Sequence, residues 1–462
     1  MSDLLSIGAT GVRAYQTALT AVGENIANSG VSGYARRTVG LREVGIATGV
    51  TASKSSAGGG VMVSGIVRAT DVYASAAVRG ATTELAATKT TGTWLDRIES
   101  TMTGSEVSAR ITAFFESARS LSAEPASNAL RATMLETAGT AAAAITATGQ
   151  AFAQARADLD DSGHAAARDL TSLAQSLARV NDGLQRTATG TAASAQLADQ
   201  RDTILSQMSE LTDIGVKVDQ MGRATVTLGN APGTPFVTLD QVGSVSYNPN
   251  EKNGATFALA INGQVGNITP TGGKTAGIVD SAVRIATAQA DFGRIVGEFV
   301  NGVNTTQAGG VDSTGAAGPA MFAFDAATLT VSMARVPKGD GTHRAFTGSD
   351  IAAAGRNDDG TSKGARDASN LIALQGARIA GAWESKITNL ISDNATIAKQ
   401  KATIADAQTA ILGGANTALS TATGVSLDNE AVELMRFQQA YSASSRVIQA
   451  ARDTFQSILG IN

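Results

Sequence analysis

The chain of 462 residues has no cysteine and only two histidines. The first absence excludes disulfides, thiolate metal sites and cysteine nucleophiles. The histidines, His164 and His343, fall in segments that read as different domains, so a zinc site would need carboxylate ligands at unrecognisable spacing. No metal and no cofactor is expected. Charge is also scarce: 16% of residues are charged and the formal net charge is −4. That balance is too small to imply a nucleic-acid partner, and no basic run carries interleaved aromatics. No apolar stretch reaches eighteen residues, so no membrane span is expected. The start, Met-Ser-Asp-Leu-Leu-Ser, lacks the basic region and continuous apolar core of a secretory signal; a protein acting outside the cell would need another route.

Signals for catalysis are weak as well. Gly272-Gly273-Lys274-Thr275 suggests a phosphate loop, but the first glycine of that motif would have to stand where Ile268 does, and the stretch reads as a turn entering a helix. The acidic pairs Asp160-Asp161 and Asp358-Asp359 read as solvated charge. No catalytic residue is expected. The reading is of a structural, non-enzymatic protein.

What the chain does contain is helical periodicity, most clearly at its two ends. Leu427, Leu434, Tyr441, Ile448 and Phe455 recur every seven residues, with Phe437, Ala451 and Ile458 in a companion row. Leu5, Val12, Leu19 and Ile26 repeat the same step at the N-terminus, with Tyr15 and Val22 beside them. Each seam is long and thin, so each needs a neighbour: the other end of the chain, or copies of itself. Gly8, Gly11 and Gly23 interrupt the first helix at a cost of about 1 kcal/mol each relative to alanine. Both ends are therefore expected to be disordered in the free monomer and to fold on assembly. Ser2 or Asp3 would cap the first helix and Ser426 the last, with Asp428 and Glu430 favourably placed in its first turn. Tyr441 is either a plain seam residue flanked by solvating Gln438 and Gln439, or part of a hydrogen-bonded set with those amides that fixes register between subunits.

Between the ends, residues 34–60 read as an extended linker and Val61–Val67 as a strand. One long helix follows from Asp71 to near Gly104, then another from Glu106 to Leu121. Residues 128–187 are alanine-rich without proline, giving one very long helix or two broken near Gly163. Ala195–Leu211 continues the bundle. From Val216 to Ile261 the pattern changes to short β-like runs. A helix returns from Gly277 or Asp280 to Asn304. Residues 308–367 are Gly- and Asp-rich with one strand, Thr328–Arg335, and helical spacing resumes from Ala368 to about Ala418. The fold class is mainly α with a β insertion (α+β): coiled-coil-like terminal helices, a long-helix bundle and a small β-rich outer lobe. The expected division is a terminal helical assembly domain (1–33 and 425–462), a linker (34–60), a bundle domain (61–213, 275–307 and 366–424), a β-rich module (214–274) and an inserted lobe (308–365).

Two stretches carry a resemblance. Asn25-Ile26-Ala27-Asn28-Ser29-Gly30-Val31-Ser32-Gly33-Tyr34-Ala35-Arg36 is similar to the Asn-Ile-x-x-x-Asn-Val-x-Gly-Tyr-x-Arg signature of the flagellar axial proteins, which comprise rod, hook and hook-associated members. It departs from the signature at Gly30, where the family usually has asparagine; either residue, like Asn28 and Gly33, accepts positive φ. Gly424–Glu430, followed by Arg436-Phe437-Gln438-Gln439-Ala440-Tyr441, resembles the closing motif of the same family. Glu124–Arg131 and Leu197–Asp202 resemble its hook-associated branch. The resemblance implies a hook-associated adaptor joining hook to filament, self-assembled into a ring or tubular layer through its terminal helices. It also implies as partners the hook protein, hook-associated protein 3, and the flagellar type III export apparatus with an export chaperone, and a place outside the cell at the hook–filament junction. Rival readings are another axial protein (hook, distal rod or flagellin-like), a cell-wall hydrolase on axial-type ends, and an adhesin-like lobe at 308–367.

Overall fold

The structure is a computed structural model. It describes residues 2–31, 33–44, 59–229, 233–239, 241–250 and 254–459, the first two and last two of these by backbone alone. The expected caps at Ser2 or Asp3 and the seam position at Ile458 therefore lie outside the described side chains.

The chain begins with α1 (Ser2–Asn28), a hairpin of β1 (Arg37–Glu43) and β2 (Val61–Arg68), and the long α2 (Val72–Thr103). Arg37–Glu43 thus corrects the reading of 34–60 as linker throughout. Val39 and Leu41 pack against the terminal helices, and that burial pulls the segment into a ladder. Asp71 caps α2, its side chain accepting from the Ala74 amide at 2.9 Å. Next come α3 (Val107–Ala123) and α4 (Asn128–Arg186), a single helix of 59 residues. Gly163 does not break it. A Cβ there would lie 2.5 Å from the Tyr247 ring, so the glycine is a notch that admits an aromatic side chain.

After α5 (Ala192–Leu211) come two three-stranded antiparallel sheets: β3 (Ile214–Val218), β4 (Ala224–Leu228) and β5 (Thr234–Val237), then β6 (Ser244–Asn250), β7 (Gly254–Ile261) and β8 (Gln264–Ile268). α6 (Gly273–Gly309) starts at the Gly272-Gly273 turn, a few residues earlier than expected. The inserted region holds two small ladders rather than one strand: β9 (Phe322–Asp325) with β10 (Thr330–Met333), and β11 (Arg335–Pro337) with β12 (His343–Ala345). The following helical stretch is broken at Ala382 into α7 (Ser369–Gly381) and α8 (Trp383–Thr423). α9 (Leu427–Leu459) closes the chain. The fold is mainly α with β insertions.

One large core joins the bundle to both β regions. Its centre is aromatic: Phe114, Phe115, Phe299, Phe322 and Trp383 touch in edge-on, stacked and, for Phe299 with Phe322, tilted pairs with centroids 5.0 to 6.2 Å apart; the ring quadrupole favours the edge-on arrangement that most of them adopt. A second, thin cluster lies between α1 and α9.

The terminal helix pair and its junction as candidate functional site

α1 and α9 pack as an antiparallel pair. Gly8 faces Ile448, Gly11 faces Ser444, the Tyr15 and Phe437 rings lie 6.3 Å apart, and Asn25 reaches Glu430. The expected seam is present but displaced. On α1 the buried line is Gly8, Gly11, Ala14, Ala18, Ala21, Val22 and Asn25, while Val12, Leu19 and Ile26 are half-buried flanks and Leu5 is exposed. On α9, Glu430, Phe437 and Ala451 are buried; Leu434, Tyr441 and Ile448 flank them, and Leu427 and Phe455 are both 55% exposed. Small residues let the two backbones approach, and the larger side chains are displaced to the edges of the contact. Gly8 and Gly11 are therefore contact residues, not only helix interruptions. An added Cβ would lie 2.6 Å from Ile448 Cγ1 at Gly8 and 2.6 Å from Ser444 Oγ at Gly11. Gln438 and Gln439 are exposed.

The signature residues converge at the end of this pair. Asn25 is buried and fully employed: its Oδ1 accepts from Tyr34 Oη at 2.8 Å and from the Arg37 amide at 3.0 Å, and its Nδ2 donates to the Arg37 carbonyl at 2.8 Å and to Glu430 Oε2 at 3.0 Å. Arg36 Nε donates to Glu430 Oε1 at 2.6 Å. Glu430 is wholly buried, so its first-turn position is not its main environment: it is the acceptor at the centre of a charged knot. Of the positions expected to take positive φ, Gly33 does so (φ +82°). Asn28 instead ends α1, its Nδ2 bonded to the Glu24 carbonyl at 2.8 Å.

The knot continues into the bundle. Arg37 donates to Glu24 at 3.2 Å and to Asp199 at 2.9 Å, while Arg68 reaches Asp199 at 2.7 Å and Asp202 at 2.8 Å. Arg37 also lies over the Tyr34 ring, 4.8 Å from its centroid. Burial pushes the Tyr34 phenol above its ordinary range, with Arg37 opposing and the nearby acids reinforcing. Burial alone would lower Arg37, but the Asp199 hydrogen bond and the surrounding negative charge raise it. Backbone bonds run alongside: Arg36 N to the Thr423 carbonyl at 2.8 Å, Ala69 N to the Arg36 carbonyl at 2.8 Å, and Ile66 N to the Gly190 carbonyl at 2.7 Å. A cleft of about 930 Å³ opens beside the knot, lined by Glu24, Tyr34, Arg37, Arg179, Asp199 and Gln200 among others. Among the described residues no group of three or more His, Asp or Glu is placed to hold a metal ion. No helix among them is long and apolar enough to cross a membrane.

Sequence reasoning singled out Asn25, Tyr34 and Arg36 without their partners; it read Glu430 only as a first-turn acid, carried Asp199 and Asp202 only within the Leu197–Asp202 stretch, and gave Arg37 and Arg68 no role. The signal for Glu430 was available, since it stands seven residues before Phe437, on the seam. The first interior stretch, Glu124–Arg131, is also a tie point: Arg131 is buried and donates to the carbonyls of Pro125 (2.9 Å), Gly348 (3.1 Å) and Ile351 (2.8 Å), holding the inserted region on α4. Asp160, expected to be solvated, accepts from Tyr247 Oη at 2.6 Å and pairs with Arg156.

Comparison with known proteins agrees with this geometry. Residues 95–322 match the family described as flagellar hook-associated protein FlgK helical domain, and residues 419–461 match the flagellar basal body rod FlgEFG protein C-terminal family. The chain belongs to the flagellar hook-associated proteins. It is a structural component of the bacterial flagellum. Flagellar hook-associated protein 1 of Escherichia coli strain K12 is 24% identical, with all of both chains covered. The protein of the same name from Salmonella typhimurium is 27% identical over 50% of this chain and 42% of its own. Among solved structures, the flagellar hook junction protein FlgK from Burkholderia pseudomallei shares the fold, with a TM-score of 0.61 at 16% identity over 74% of this chain and 98% of that one. The family match sets the hydrolase, flagellin-like and other axial readings behind the hook-associated one.

Proposed function

We propose that this family member is the adaptor that joins the flagellar hook to the filament, held there by its terminal helix pair. The observation that carries the reading is the unequal burial of that pair. Its internal contact is thin, while Leu5, Leu427, Val432, Met435 and Phe455 are each 46 to 59% exposed. Exposed apolar area on this scale marks a surface that a further protein covers, and at about 25 cal/mol per Å2 its burial would offset the ordering of the helices. In this reading the neighbours are further copies in a ring or tubular layer, the hook protein on one side and hook-associated protein 3 on the other. The bundle and β regions face outward, and the termini order fully only on assembly. The chain reaches its extracellular site through the flagellar type III apparatus with an export chaperone, and it acts by contact and not by catalysis.

Removing residues 427–462 tests this. The expected product keeps a folded, helical middle and is missing from the hook–filament boundary in cryo-electron micrographs of isolated flagella; a truncated chain that still occupies the boundary would overturn the reading. A muramidase assay on the full chain is expected to give no turnover.

A further inference from the structure

The contact between α1 and α9 is poorly suited to fixing its own alignment. On α1 it is a line of near-identical small residues three or four apart, and on α9 it repeats every seven residues through Phe437, Ser444 and Ala451. Such a seam tolerates sliding, because a shift of one heptad, roughly 10.5 Å, again sets small residues against the same row. One position breaks the repetition. Glu430 continues that row by one heptad, and it is a carboxylate with no exposed surface. In the observed alignment both its oxygens are satisfied, one by Asn25 Nδ2 at 3.0 Å and the other by Arg36 Nε at 2.6 Å. Slid by a heptad in one direction, it would lie unpaired beside Ala18 and Val22. Slid in the other, it would pass the end of α1 and leave Phe437 against the amide of Asn25.

We propose that Glu430, with Asn25 and Arg36, is the register lock of the terminal helix pair. Its contribution is alignment more than attraction. A buried charge pair gives little net stability over an apolar filling, yet it heavily penalises every arrangement in which it is unpaired. The alignment it selects decides where Leu5, Leu427 and Phe455 stand along the outside of the pair, and so what surface the pair offers to a neighbour. The lock concerns two helices of one chain and does not rest on where in the flagellum the protein sits.

The absence of native cysteine permits a direct test in the full-length chain. A Cβ at Gly11 would lie 3.1 Å from Ser444 Cβ, so G11C/S444C reports the observed alignment, and L4C/S444C reports the one-heptad slip that sets residue 430 beside Ala18 and Val22. With Glu430 present, mild oxidation should close the 11–444 disulfide and leave 4–444 open. In R36M/E430L, where the seam is apolar on both sides, the 4–444 disulfide should appear as a substantial fraction, with a matching loss of 11–444. E430Q retains an acceptor for Asn25 and should stay close to the parent pattern. Two results overturn the proposal: R36M/E430L closing 11–444 alone at the parent yield, or closing neither pair. The second would mean that Glu430 holds the helices together and does not align them. Circular dichroism of each variant verifies that the helical bundle is intact.

Discussion

The same substitution, glycine to alanine, should have opposite signs at two positions of α1. At Gly23 nothing lies within 4 Å of the added Cβ, so Gly23→Ala contributes only its helix propensity, about 1 kcal/mol of stabilisation. At Gly8 the same gain is opposed by contact. The new methyl would meet Ile448 Cγ1 at 2.6 Å, the Ser444 carbonyl at 3.2 Å and the Ile448 amide at 3.3 Å. The Ile448 side chain can rotate away, but the two backbone atoms move only if α9 itself shifts. Overpacking of this kind costs about 1–3 kcal/mol, so the net effect of Gly8→Ala runs from neutral to about 2 kcal/mol destabilising. Hydrogen exchange read by mass spectrometry on the full chain separates the cases. Protection of α1 amides should rise about fivefold in Gly23→Ala, as 1 kcal/mol implies, and should fall or stay level in Gly8→Ala. Equal gains in protection for the two variants would refute the close α1–α9 contact. No protection in the parent chain would instead support ordering of the ends only on assembly.

Three further outcomes follow from the packing. Burial and the Asp160 hydrogen bond raise the Tyr247 phenol well above its ordinary value. The stability this gives is complete below the ordinary phenol range and is lost as pH climbs through the raised value, so parent and Tyr247→Phe should converge in stability only in strong alkali; convergence near neutrality would contradict it. Asp350 is 2% exposed and its pKa is lowered: burial opposes ionisation, but Arg344 and two Thr347 donors outweigh it. Its contribution is therefore present above the ordinary carboxylate range and lost as pH falls through the lowered value. Asp350→Ala should cost about 2–3 kcal/mol near neutrality, the low end for a buried pair because Arg344 is partly exposed, as read by denaturant unfolding of the full chain. Ala382 holds a left-handed conformation (φ +46°) between α7 and α8; Ala382→Gly should relieve about 1 kcal/mol and raise the melting temperature, whereas a fall would show that no strain is stored there.

Helix type and order were legible because long amphipathic segments declare themselves by period, and α2, α3, α4, α5 and α9 fall close to where the apolar spacing puts them. The seam of the terminal pair was legible only in outline. Hydrophobic periodicity ranks Leu5, Val12, Leu19 and Ile26 above Gly8, Gly11, Ala14 and Ala18, yet close backbone approach buries the small set and leaves the large one at the edge. Gly163 shows the same blindness: local chemistry sees a helix breaker, and only Tyr247, 84 positions away, makes it a socket. β8 was missed because the two strand formers of Gln264–Ile268, Val265 and Ile268, are separated by Gly266 and Asn267 and the segment is largely exposed; pairing with β7 forms it, not propensity.

The junction was the least legible part because its chemistry is assembled across the chain. Asn25 and Glu430 are 405 positions apart, and Arg37 and Asp199 are 162 apart. Within its own segment each of these residues has an ordinary explanation: a polar residue near a helix end, an acid in a first turn, arginines opening a strand. Together they mean that the N-terminal signature is chemically incomplete until the last helix arrives. Without α9, Asn25 Nδ2 and Arg36 lose the acceptor that Glu430 supplies, and Phe437 no longer covers Ala18 and Val22. The terminal pair can therefore close only after the whole intervening chain has been made. The bundle, whose core residues lie within 94–391, has no such requirement.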